Sequence, residues 1–152
     1  MTTREVTSGA PVSVEPRRRQ VLRIALYCMA AGAALTGVPA TFAPRVFYDS
    51  FPAGLSWVSK LPPYNEHLVV DVGCLYLAFA FLFVWCAITL HRAAIVPVTL
   101  AWIGVQTIHS IYHLWHLENF SVGAAVSQTA GFALFLVLPI VALAAVRSPR
   151  RS

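Results

Sequence analysis

Four stretches of this chain are long, apolar and nearly free of charge: Val21 to Phe42, His67 to Leu90, Ala93 to His116 and Val122 to Val146. They hold only two formally charged side chains, Arg23 and Asp71. Roughly 20 apolar residues wound as a helix cross the ~30 Å hydrocarbon layer of a bilayer. A helix also satisfies its own backbone donors and acceptors, which lipid cannot do. The stretches therefore predict an all-α fold, a four-helix integral membrane bundle in one domain. Composition agrees: of 152 residues 58% are hydrophobic and 11% charged, whereas soluble domains run nearer half and a quarter.

The segments around the spans read as follows. Residues 1–19 are polar without apolar period, which predicts a disordered tail, and 148–152 form a short basic tail. Thr41-Phe42-Ala43 loosely mimics a signal-peptidase site, but the apolar run before it is too long and Pro44 follows directly, so the first span is read as retained. Its centre, Ala30 to Ala34 with Gly37, is rich in small residues that let helices approach closely in lipid. The connection 44–66 repeats Phe47, Phe51, Leu55 and Val58 at helical spacing, interrupted by Pro52 and Gly54. It predicts a segment lying at the membrane interface or folded over the helix ends. Pro62-Pro63 forces an extended turn, after which Asn65 or Glu66 can cap the second span. Arg23 can snorkel to the headgroups. Pro139 should kink the fourth span and free the carbonyl of Phe135.

The net charge is +5. The arginines flank the spans and no recognition motif accompanies them, which argues for a topology signal and against nucleic acid. With both termini on one side, that side holds Arg4, Arg17, Arg18, Arg19, Arg23, Arg92, Arg147, Arg150 and Arg151, against Arg45 and Lys60 on the other. The positive-inside rule then places both termini in the cytoplasm, as in a multi-pass protein of a bacterial inner membrane. Cys28, Cys74 and Cys86 are odd in number, lie inside spans and form no Cys-x-x-Cys pair, so neither a disulfide scaffold nor a zinc ribbon is expected.

Two polar stripes break the apolar pattern. His109, His113 and His116, extended inward by Gln106, fall on one helix face, as do His67, Asp71 and Cys74. If the second and third spans form a tight hairpin, His67 lies level with His116, Asp71 with Tyr112 and His113, and Cys74 with His109. Gln128 of the fourth span reaches a similar depth, and Glu66 sits at the rim. Polar groups in hydrocarbon are costly unless they face a bundle interior or a wet cavity, so an outward-facing polar pocket between the spans, roofed by 44–66, is expected. Three imidazoles and a carboxylate form a familiar shell for zinc, iron or copper. The candidate ligands are His109, His113, His116, Asp71 and His67. Glu66, Cys74, Gln106, Tyr112 and Gln128 are candidate supporting or cavity residues. Haem between facing histidines is a further option that no residue selects. The plainer readings are that His116 sits at the interface and that His67 and Asp71 form an i,i+4 ion pair.

The segment Pro63-Tyr64-Asn65-Glu66-His67-Leu68-Val69-Val70-Asp71-Val72-Gly73-Cys74-Leu75-Tyr76-Leu77-Ala78-Phe79-Ala80, in a chain of four spans with a short loop between the second and third, resembles small actinobacterial membrane proteins. It is more distantly similar to the DoxX-like group. That resemblance implies an accessory role in membrane redox or quinone-related chemistry, although the histidine cluster is not a general feature of the group. The functional expectation is a metal-binding membrane site with a redox or hydrolytic role. The competing expectation is a non-catalytic accessory subunit or a small proton-linked transporter. The bilayer is the expected partner, with a membrane protein or a second copy of the chain as further candidates.

Overall fold

The computed structural model describes residues 15–146. Among them there are five helices and no strand: α1 (Pro16–Phe42), α2 (Pro44–Ser50), α3 (Glu66–Thr89), α4 (Arg92–Trp115) and α5 (Val122–Val146). Single 3₁₀ turns follow at Val58–Lys60 and Leu117–Asn119. The four long helices are each long and apolar enough to cross a membrane. Their outer surfaces carry Leu35, Ile108 and Val122 at 71–83% exposure, a surface suited to lipid.

α1 starts at Pro16, earlier than the expected Val21. The reading of 1–19 as a disordered tail is therefore corrected for 16–19. Proline presets the first-turn φ and needs no N–H there, and the arginines and glutamine that follow are good helix formers. The remainder of that tail, and the basic tail 148–152, lie outside the described residues. Arg23 donates from Nε to the carbonyl of Ala87, 3.3 Å away, in the last turn of α3, where helix carbonyls lack partners. Asn65 caps α3 as expected, its Oδ1 accepting from the N–H of Leu68 at 3.2 Å.

The expected face-to-face hairpin of the second and third spans is not how the bundle is built. α3 packs most extensively against α1, and α1 also meets α5; α4 leans mainly on α5 and touches α3 lightly. Glycine explains the choice. A Cβ on Gly73 would stand 2.5 Å from Thr41 Oγ1 and 2.6 Å from the Thr41 backbone nitrogen, and one on Gly37 would stand 3.0 Å from the Gly73 carbonyl. Only bare backbone lets α1 and α3 come so close, the small-residue contact that drives helix association in lipid. The approach sets the rotation of α3: Gly73, Tyr76, Ala80, Phe83 and Ala87 turn inward, at the i, i+3, i+4 spacing of one helix face.

Trp102 is the centre of the interior. It is fully buried, and Tyr76, Phe79, Phe83 and Phe135 all present near-perpendicular rings to it at 5.1–6.1 Å. Pro139 of α5 has no N–H to give the carbonyl of Phe135, and the Trp102 indole N–H donates to that oxygen at 3.3 Å. The orphaned acceptor expected from the proline is thus satisfied from a neighbouring helix.

Candidate functional site

α4 buries a stripe of Ile95, Thr99, Trp102, Gln106, Ser110 and His113. Its first half is mainly apolar or aromatic, with Thr99 between Ile95 and Trp102, and its second half is polar. The polar half is tied to two neighbours. Gln106 donates from Nε2 to Tyr76 Oη on α3 at 3.1 Å. His113 donates from Nδ1 to Gln128 Oε1 on α5 at 2.9 Å. Buried polar groups of this kind need such partners, because an unmade bond leaves the full desolvation cost. The Nδ1–H bond leaves His113 Nε2 as the ring nitrogen with a free lone pair. The His109 ring lies 4.6 Å from that of His113, centroid to centroid, and edge-on to Phe132 at 5.4 Å.

These groups line a cleft of about 680 Å³. Its walls come from Thr36 on α1, Val69 and Tyr76 on α3, Gln106, His109, Tyr112 and His113 on α4, and Gln128, Gly131 and Phe132 on α5. The connection after α1 covers it: Phe47, Tyr48, Phe51, Trp57 and Leu61 all face the cleft. The expected roof is therefore present. Its helical period ends at Ser50, because Pro52 and Gly54 break it, and Leu55 points out at 54% exposure. Tyr48 Oη donates to the Pro62 carbonyl at 3.2 Å. Arg45 pairs with Asp49 at 2.7 Å and lies 5.0 Å from the centroid of the Tyr64 ring. These contacts fold the connection back on itself. Most of the lining is apolar, in the usual manner of small-molecule sites, with a few convergent polar groups.

Of the residues singled out from sequence, Gln106, His109, Tyr112, His113 and Gln128 line this cleft. His67, Asp71, Cys74, Glu66 and His116 do not. His67 and Asp71 are exposed and pair with each other at 3.3 Å across one helical turn. Their stripe continues through Cys74 to the exposed Phe81 and Trp85, so it points away from the bundle. The expected meeting of Asp71 with His113 does not occur, because the Gly37–Gly73 contact turns the opposite side of α3 inward. Glu66 accepts from Tyr64 Oη at 3.0 Å. His116 closes α4, its Nδ1 2.7 Å from the Tyr112 carbonyl. Among the described residues no group of three or more His, Cys, Asp or Glu side chains is placed to hold one metal ion.

Sequence reasoning passed over Tyr76, Trp57 and Phe132 as site residues. Tyr76 follows Gly73 by three positions and Phe132 follows Gln128 by four, so each shares a face with a residue that had a signal. Two donors on cleft-lining side chains have no partner: Gln128 Nε2 and Trp57 Nε1, both buried. The resemblance to the DoxX-like group gains no support from comparison with known proteins: no protein family, no curated protein and no solved structure matches the chain.

Proposed function

We propose that this is a multi-pass membrane protein, both termini cytoplasmic in a bacterial inner membrane, that binds a small lipid-soluble molecule in the cleft beneath the 44–65 connection. One observation carries the reading. A bundle of apolar helices places four polar side chains, Gln106, His109, His113 and Gln128, around a roofed space of about 680 Å³ instead of filling it. That volume lies within the roughly 300–1,000 Å³ of small-molecule sites. Gly131 supplies the test: it lines the cleft, and a Cβ added there meets nothing within 4 Å. Gly131→Leu should fill the space without disturbing the bundle. In membranes irradiated with a long-chain alkyl diazirine, labels should concentrate on 47–61 and 106–132 and fall several-fold in Gly131→Leu. Labels spread evenly over the exposed helix faces, and unchanged in the variant, would overturn the reading.

The imidazole pair favours a second reading, in which His109 and His113 bind zinc, iron or copper on one wall of the same cleft. Two imidazoles on successive turns can share an ion, and the Gln128 bond to His113 Nδ1 is the kind of outer contact that orients a ligating histidine. Redox or hydrolytic chemistry would follow from such a centre. Elemental analysis of purified protein tests it: metal content should fall at least about tenfold in His113→Ala, the loss typical of damage to a metal site's ligands or their supports, and stay unchanged in His67→Ala. Equal metal in both would remove it.

A further inference from the structure

We propose that the molecule held in this cleft bears a hydroxyl group on a hydrocarbon body, as a long-chain alcohol or a phenol does. The inference rests on the cleft being a binding site and concerns the chemistry of its occupant. It comes from the two imidazoles on the α4 wall and what they leave unsatisfied.

Among the described residues, the side-chain polar atoms that are both sealed off and unpartnered are Thr41 Oγ1, Trp57 Nε1, Thr99 Oγ1 and Gln128 Nε2. None belongs to a histidine. His109 makes no hydrogen bond through either ring nitrogen, and His113 makes one, through Nδ1 to Gln128. Both nitrogens of His109 and Nε2 of His113 are therefore unpartnered yet reachable, on side chains that line the cleft. A neutral imidazole carries one N–H and one bare nitrogen, whichever tautomer it holds. His109 thus offers a donor and an acceptor together, and His113 adds a second acceptor. The two rings stand 4.6 Å apart, centroid to centroid, so one small group can reach both. Polar groups left unmatched inside a bundle of apolar helices are costly. A carbonyl would take the donor and leave both acceptors bare. A hydroxyl answers both needs: its hydrogen goes to a bare ring nitrogen and its oxygen takes the His109 N–H. The aromatic and aliphatic remainder of the lining suits a hydrocarbon body. Lys60 stands exposed in the roof, between the lining residues Val58 and Leu61, so a carboxylate is the competing class and enters the test.

The experiment is competition against the alkyl diazirine label by four chains of matched length: oleyl alcohol, methyl oleate, ionised oleate and 1-octadecene. Oleyl alcohol should compete about tenfold better than 1-octadecene, equivalent to 1.4 kcal/mol, and better than either the ester or oleate. His109→Phe keeps an aromatic ring beside Phe132 and should bring the alcohol down to the level of the hydrocarbon, with 1-octadecene unchanged. His67→Ala, on the outward stripe of α3, should leave all four as they were. Nitrogen-15 spectra of the unaltered protein need no variant to fold: the His109 ring resonances should move with oleyl alcohol and stay in place with 1-octadecene. Still resonances with the alcohol, or equal competition by alcohol and hydrocarbon, would overturn the hydroxyl class while leaving the cleft as a binding site. Methyl oleate matching the alcohol would do the same, since an ester donates no hydrogen bond. Tighter binding of oleate would overturn it in favour of a carboxylate at Lys60. Failure of all four to compete would remove the binding reading itself.

Discussion

α3 and α4 each carry a polar stripe with residues four and three apart, His67-Asp71-Cys74 on one and His109-His113-His116 on the other, yet the structure treats them in opposite ways. On α4 the face is continued inward by Gln106, Trp102 and Thr99, all buried, and its polar half finds partners on α3 and α5. On α3 the face is continued by Phe81 and Trp85 at 66% and 52% exposure, and its polar half pairs only with itself. Spacing shows that residues share a face of a helix; it does not show where that face points. What decides is the rest of the same face and the competing face. α3 has Gly73 on the other side, and the close approach of α1 that it permits fixes the helix's rotation.

The comparison can be broken at three depths. The largest contrast is between two tryptophans. Trp102→Ala would empty the aromatic centre and orphan the Phe135 carbonyl, an expected loss of about 3–5 kcal/mol on the scale of large core truncations. Trp85→Ala on the outward stripe of α3 should move the thermal midpoint in detergent little. Equal losses would mean that α3 is rotated otherwise.

Next come neighbours on α3. Gly73→Ala puts a methyl group against the backbone of Thr41, which cannot yield as a flexible side chain would. Overpacking of this kind costs about 1–3 kcal/mol. Cys74→Ala, one position on and exposed, should be close to neutral, and a chemical denaturation series on the two variants would show it.

The smallest contrast sets the two histidines against each other. His113→Phe keeps a ring but takes the donor from Gln128 Oε1, leaving the buried carboxamide unpaired at both ends, with an expected cost of about 1–3 kcal/mol. His67→Ala removes a pair exposed at 83% and 58%, the sort of surface contact that contributes little. If His67→Ala were the more damaging change, the polar role assigned to α4 would pass to α3.

Much of the architecture was legible in the sequence for plain physical reasons. Runs of spanning length with almost no charge fix the number of the long helices and their limits to within a residue, except the start of α1, which Pro16 and the arginines after it carry further back; Asn65 marks the start of α3, and Pro139 announces that Phe135 needs a donor. Within the site, Gln106, His109, Tyr112, His113 and Gln128 were legible as polar breaks in apolar helices, a signal that also picked out His67 and Asp71, which point outward. The pairing of helices was not. A short loop between α3 and α4 suggested that they share their polar faces, but loop length limits separation and leaves rotation free. Rotation is settled by contacts such as Gly37 with Gly73, where the signal is a missing side chain and the partner lies far away in sequence. Trp57 was equally hidden, since a tryptophan in a loop gives no sign of whether its indole N–H will be covered.

The claim beneath all of this is that the α4 stripe meets α5 and not the polar stripe of α3. Nuclear Overhauser contacts from the His113 ring in specifically labelled protein address it most directly. The His113 and Phe132 rings lie 4.8 Å apart, centroid to centroid, so strong cross-peaks between them are expected, with none from His113 to the β-protons of Asp71. Cross-peaks to Asp71 and silence at Phe132 would contradict the arrangement described here.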